Sequence, residues 1–208
     1  MMQRWRHYLL GAALAVLGLT TGCSILPKSE PQTRFNLPAA ALDTHVPQQK
    51  GVLFVAVPQG NRLISSNYVL IQPEHTEIQV YKGTLWADTV PSLLRERLIT
   101  AFSEAQLFDA ISGDAALRSD LALETYVQRF QVQFENDQPI VHVQADAKLV
   151  DSNTASIVRS QRFYVTQPAQ SKDVVHLVAA FGQATDQLSL ELIQWLSREC
   201  DKLTLPIQ

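Results

Sequence analysis

An α+β two-layer sandwich, a largely antiparallel sheet with two main helices packed on one face, is the fold this 208-residue sequence predicts. Three observations carry the prediction. Val141, Val143, Ala145, Ala147 and Leu149 alternate strictly with His142, Gln144, Asp146 and Lys148, the period of a strand with one packed and one wet face. Two other stretches repeat their apolar residues every three or four positions, the period of a helix lying on a core. Short apolar runs separated by Pro, Gly, Asn and Asp fill the intervals between them.

Taken in order, Arg34, Phe35, Asn36 and Leu37 lie among Pro27, Pro31, Pro38 and Pro47, so residues 23–49 read as a mostly extended tether with one segment able to add as an edge strand. Residues 52–57 are continuously apolar and closed by Pro58, Gly60 and Asn61, which predicts a strand buried on both faces. Residues 68–71 and 77–81 flank Pro73, Glu74 and His75 as the arms of a hairpin. Asp88 is the expected cap of the first helix, with Pro91 in its first turn, where a missing N–H is tolerated. Val90, Leu93, Leu94, Leu98, Ala101, Phe102 and Ala105 mark the packed face of that helix, and a short strand over 107–111 follows it.

A three-stranded meander comes next. Leu121, Leu123, Thr125 and Val127 share one face, but the apolar phase then moves to Phe130, Val132 and Phe134. Such a shift predicts a β-bulge at Gln128 or Arg129. Turns at 135–139 and 151–154 connect to the alternating strand and to a third one through Val158, Phe163 and Val165. A helix starting at Ser171 or Asp173 runs to Cys200, with Val174, Leu177, Val178, Phe181, Leu188, Leu192, Trp195 and Leu196 as its stripe. The folded unit is expected over 50–202, with a tail at 203–208.

Ahead of all this, Arg4 and Arg6 precede an uncharged apolar stretch over 8–19 and the small residues before Cys23, which is the layout of a secretory signal. The apolar part is shorter than the roughly 20 residues a membrane span takes. With Gly22 before Cys23 it resembles a bacterial lipoprotein signal covering residues 1–22, with Thr20 where such signals usually carry leucine and Leu19 one place earlier. The resemblance implies cleavage before Cys23 and acylation of that cysteine. Two or more chains would anchor the protein stably, since each buried methylene adds about 0.8 kcal/mol. Ser24, where retained lipoproteins often carry Asp, is similar to the pattern sorted to the outer membrane. Lipidation of Cys23 would leave Cys200 as a free thiol at a helix end.

The net charge of −3, more negative once Arg4 and Arg6 are removed, argues against a nucleic-acid partner. No cofactor and no metal is expected: His7, His45, His75, His142 and His176 lack ligand spacing, and neither a phosphate-binding loop nor a G-x-S-x-G elbow is present. Trp86 is read either as a staple-like anchor for the first helix, its indole N–H bonded nearby, or as an exposed interface hot spot. Trp195 is read as core. Leu203, Leu205 and Ile207 alternate with polar residues, which suits a strand added to a partner's sheet edge, or else a frayed end. The face bearing His142, Gln144, Asp146 and Lys148 is either plain solvated sheet or the lining of an oligomer or partner contact.

The order of local motifs resembles the ABC-type transport auxiliary lipoproteins. They are Arg34, Phe35, Asn36, Leu37 and Pro38; Val55, Ala56, Val57 and Pro58; Tyr68, Val69 and Leu70; Leu85, Trp86, Ala87 and Asp88 leading into Pro91, Ser92, Leu93 and Leu94; Leu107 and Phe108; Ala147, Lys148, Leu149, Val150 and Asp151; Arg162 and Phe163; and Ile193, Gln194, Trp195 and Leu196. The resemblance implies a non-enzymatic lipoprotein on the periplasmic face of the outer membrane, held by the acyl chains of Cys23. Its implied partner is an MCE-domain transport protein moving lipids between the two membranes. In that setting the chain is expected to be a homo-oligomeric dock or cap. A periplasmic lipid-binding carrier with an apolar cleft, and an envelope hydrolase with a nucleophile and base in contact, are the competing expectations.

Overall fold

A computed structural model describes residues 31–74 and 76–203; Cys23, Leu205 and the signal segment lie outside them. The described chain is the expected α+β sandwich: one open nine-stranded sheet, mostly antiparallel, with two helices on one face. Its spine is β7 (Leu121–Glu135), paired along its whole length with β8 (Gln138–Asp151), which pairs in turn with β9 (Ser156–Pro168). On its other edge β7 is met end to end by three parallel partners: β2 (Gln49–Val55), β3 (Gln59–Gly60) and β4 (Tyr68–Glu74). Then β4 pairs antiparallel with β5 (Glu77–Trp86), β1 (Thr33–Phe35) adds parallel to β5, and β6 (Phe108–Ser112) adds parallel to β2.

The phase shift in β7 is a bulge. Val127 faces Ala145 and Arg129 faces Gln144, so Gln128 is the extra residue. The turn between β7 and β8 is closed by Asn136 and Asp137 at φ 50° and 67°, the left-handed pair that a two-residue hairpin turn requires.

Three local expectations change. The strand expected over 52–57 begins three residues earlier, stops at Val55, and is fully buried only at Leu53 and Val55, because its second face is not covered; Val57 is exposed. The helix α1 (Val90–Glu104) is capped by Thr89, not Asp88. The Thr89 hydroxyl accepts from Ser92 N at 3.4 Å, while Asp88 accepts from Thr89 N one residue too early to serve the helix. His142, placed by alternation on the wet face, is only 3% exposed, since Tyr164 from β9 lies over it.

The core lies between the sheet and the helices. Helix α2 (Val174–Asp201), about 42 Å long at 1.5 Å per residue, buries Leu177, Phe181, Leu188, Leu192, Trp195 and Leu196 against it. Trp195 meets Phe163 edge-on at 5.7 Å. Trp86, Phe130 and Phe181 form the aromatic centre, with the Trp86 ring edge-on to Phe181 at 5.2 Å and Phe130 stacked on Phe181 at 4.7 Å.

The proline-rich stretch before β2 is extended, and from Thr33 it is also bound. After β1 it runs as a strap past Gly182 and Asp186 of α2 and Arg97 of α1, with Leu37, Leu42 and Val46 partly buried on the core. A buried ion pair between the helices holds its backbone. Arg97 Nε donates to Asp186 Oδ1 at 2.7 Å, Arg97 Nη2 donates to the Ala40 carbonyl at 2.8 Å, and Ala40 N donates to Asp186 Oδ2 at 3.0 Å. Gly182 makes room for this crossing, since a Cβ there would stand 2.8 Å from the Pro38 carbonyl oxygen.

Candidate functional site

With both helices on one face, the opposite face of the sheet is open, and there the structure gathers side chains suited to binding. The β7–β8–β9 register sets Tyr126, Asp146 and Arg162 side by side, with Glu124, Lys148 and Ser160 in the next outward row. Tyr126 and Tyr164 occupy outward positions between buried neighbours on their strands, as Tyr68 does beside Val69, and all three are 40–49% exposed. An aromatic at an outward position of an alternating strand was the available sequence signal for them. Asp146 accepts from Arg162 Nε at 2.6 Å and Nη2 at 3.1 Å, and from Gln128 Nε2 at 2.9 Å. The bulge puts Gln128 within reach of that carboxylate. The Arg162 bonds, then the Gln128 bond, hold Asp146 below the usual carboxylate range, and the hydrogen bonds and charge of Asp146 raise Arg162. Beside this pair, Val57, Gln59, Tyr126 and Lys148 help line a shallow depression of about 130 Å³.

His142 and a glutamine cluster form the second part of the face. Gln72 Oε1 accepts from Gln131 and, at 2.5 Å, from Gln133. His142 Nδ1 lies 2.5 Å from Tyr164 Oη, while its Nε2 has no hydrogen-bond partner among the described residues and stands 3.7 Å from Glu135 Oε1. Burial lowers the imidazole pKa, Glu135 opposes this and Arg129 adds to it, so His142 is held neutral. Its lowered folded value means that its stabilising share is fully present above pH 6.5, the unfolded value. That share is lost as the pH falls below 6.5 through the folded value. In urea titrations from pH 7.5 to 5.0, stability is expected to drop with a His142 contribution of at most about 1.4 kcal/mol per pH unit. The substitution His142→Gln is expected to remove that contribution; an unchanged slope would show that His142 does not titrate there.

The other singled-out residues are placed as follows. Phe35 pairs with Trp86 across β1 and β5, and Leu37 lies in the strap, both partly buried. Trp86 is wholly buried, which rules out the hot-spot reading, and its indole N–H has no hydrogen-bond partner among the described residues, unlike the bonded N–H expected of an anchor. Leu203 is partly buried against the core, bonded through its N–H to the Cys200 carbonyl at 2.9 Å. Cys200 is a buried free thiol whose pKa burial pushes up to about 12. Phe35 and Trp86 are thus brought together, while His142, opposite Gln131 on β7, lies on the other face of the sheet.

Among the described residues a serine touches a histidine at the start of α2: Ser171 Oγ lies 2.8 Å from His176 Nδ1. Asp173 bonds that serine rather than the imidazole, and Ser171 Oγ accepts from Asp173 N at the start of α2. In a Ser–His–Asp triad the acid stands behind the histidine; here Asp173 stands beside the serine instead, and the three side chains sit at the N-terminus of α2. Among the described residues no cluster of His, Cys, Asp or Glu could hold a metal, and no helix is long and apolar enough to cross a membrane.

The family model for the ABC-type transport auxiliary lipoprotein component matches residues 35–192. An uncharacterised protein of Bradyrhizobium diazoefficiens is 29% identical over 112 residues, 53% of this chain and 30% of the relative, so the match spans about a third of that longer protein. The crystal structure of protein XCC0632 from Xanthomonas campestris superposes with a TM-score of 0.74 at 28% identity, covering 82% of this chain and 98% of that one. The hypothetical protein CT253 of Chlamydia trachomatis shares the fold at 11% identity, with a TM-score of 0.52 over 74% of this chain and 99% of that one.

Proposed function

The chain belongs to the ABC-type transport auxiliary lipoprotein family, and from that premise we propose that it is the non-catalytic dock of an MCE-type lipid transport system. In this reading Cys23 carries acyl chains that hold the protein on the periplasmic face of the outer membrane. The folded unit then presents its open sheet face to the MCE-domain protein and assembles with further copies of itself. The single observation that carries the reading is the family match across nearly the whole folded unit, from β1 into α2.

Two features of the fold support docking over carriage. A lipid carrier needs a cleft, usually of several hundred Å³, between its layers. Here Leu53, Val69, Trp86, Phe102, Phe130 and Phe181 fill that interface. The open face instead combines exposed tyrosines with paired charges, the composition of a protein contact.

The test is fractionation of cells carrying Cys23→Ala. The variant is expected to move wholly from the membrane to the soluble envelope fraction while keeping its melting temperature, and to lose transport. Retention in the membrane fraction would end the lipid-anchor reading.

A further inference from the structure

The β4–β5 hairpin projects from the body beside the point where the chain leaves for its anchor. Residues 77–80 of β5 are exposed on both faces, so this arm extends past the core, and it carries two aliphatics, Ile78 and Val80, at 43% and 42% exposure. Val80 pairs with Leu70 of β4 and Ile78 lies two residues away on the same strand, so the two side chains lie on one side of the arm. Further along the same strand, Thr84 pairs with Thr33, the first residue of β1. Six residues of strand separate Ile78 from Thr84, about 20 Å.

The strap is what fixes that exit point. Because β1 is paired and Ala40 is gripped by Arg97 and Asp186, the chain is held from Thr33 onward. Ten residue steps lead from Thr33 back to Cys23, at most about 34 Å even fully extended. Without the strap the leash would begin near Gln49, 26 steps away, and reach about 90 Å.

We propose that the β4–β5 arm, through Ile78 and Val80, rests on the bilayer that holds the acyl chains of Cys23. The proposal rests on the lipid-anchor reading above and adds to it an orientation. The arm and β1 face the lipid, and the far end of β7, with the exposed Leu117 before it, faces away. Length decides for lipid as the occupant: a leash of at most about 34 Å holds the bilayer close to an arm that itself extends about 20 Å past the exit point. The arm carries few charges, Glu74 and Glu77 against Lys82, so it offers no polybasic patch, and the contact is apolar. It is expected to persist at high salt, unlike a polybasic membrane patch.

The experiment uses the acylated full chain in vesicles of phosphatidylethanolamine and phosphatidylglycerol, with an environment-sensitive fluorophore on Ile78→Cys or on Leu117→Cys. Both positions are exposed, so the substitutions spare the core, and the buried Cys200 thiol is shielded from labelling. Flotation with the vesicles reports the anchor. The probe at 78 is expected to shift to the blue and to be quenched by brominated acyl chains, and the probe at 117 to do neither. In a Gly182→Val background, where the new side chain displaces Pro38 and lengthens the leash, quenching at 78 is expected to weaken. A chain that floats with equal quenching at both positions, or none at 78, overturns the proposal. A chain that does not float overturns the anchor reading, and the orientation falls with it.

Discussion

Replacing Arg97 with alanine is expected to destabilise the protein by about 3–5 kcal/mol, the cost of leaving a buried ion unpaired. Arg97 has 3% of its side chain exposed and Asp186 has 14%, so neither charge can turn to water once its partner is gone. The loss is compounded because Arg97 Nη2 also holds the Ala40 carbonyl, and Asp186 would keep the Ala40 N–H without its counter-charge. Against a total stability of about 5–15 kcal/mol for a domain of this kind, much of the population would unfold at moderate urea. Limited proteolysis separates two effects: cleavage within 36–48 should appear at denaturant concentrations where the sheet still resists. A double variant, Arg97→Met with Asp186→Leu, removes both charges and is expected to recover most of the stability while leaving Ala40 ungripped. If Arg97→Ala cost under about 1 kcal/mol, the value of an exposed pair, the clamp would not be buried in solution.

Trp86→Ala is expected to cost a similar amount, about 3–5 kcal/mol. The ring is fully buried, meets Phe181 edge-on at 5.2 Å and lies 6.0 Å from Phe130, so its removal opens a cavity bounded by two rings already stacked on each other. Aromatic contacts of this kind add about 0.5–1.5 kcal/mol each beyond burial. Trp86→Phe is expected to lose much less than the difference in ring size suggests. It deletes an indole N–H that is buried without a partner among the described residues, a group whose desolvation costs about 1–3 kcal/mol. A phenylalanine variant as unstable as the alanine one would mean that the N–H has a partner in solution.

What the sequence made legible followed from local periodicity. The alternation from Val141 to Leu149 located β8, and the phase slip between Val127 and Phe130 located a bulge that the register places at Gln128. The helical stripes located α1 and α2. What stayed hidden depends on residues far apart in the chain. The clamp joins Ala40, Arg97 and Asp186, and nothing at any of the three positions announces the other two. Parallel pairing of β2 with β7 likewise brings Leu53 to Leu121 with no local sign. His142 looked solvated because alternation assigns a face but cannot report that Tyr164, on the next strand, covers it. For the site, Phe35 and Leu37 were visible as motif residues. Their role in starting the strap, and the tyrosines of the open face, became clear only with the strands assembled.

The central claim is that the open sheet face docks an MCE-domain protein, and binding of that protein to face variants tests it most directly. Tyr126→Ala and Tyr68→Ala each remove an exposed ring while leaving the core intact. Affinity for the purified MCE-domain partner is expected to fall by about tenfold or more for the more central of the two, the effect of losing an interface anchor, with the melting temperature unchanged. Unchanged affinity in the double variant, or no measurable binding by the unaltered protein, would contradict the claim.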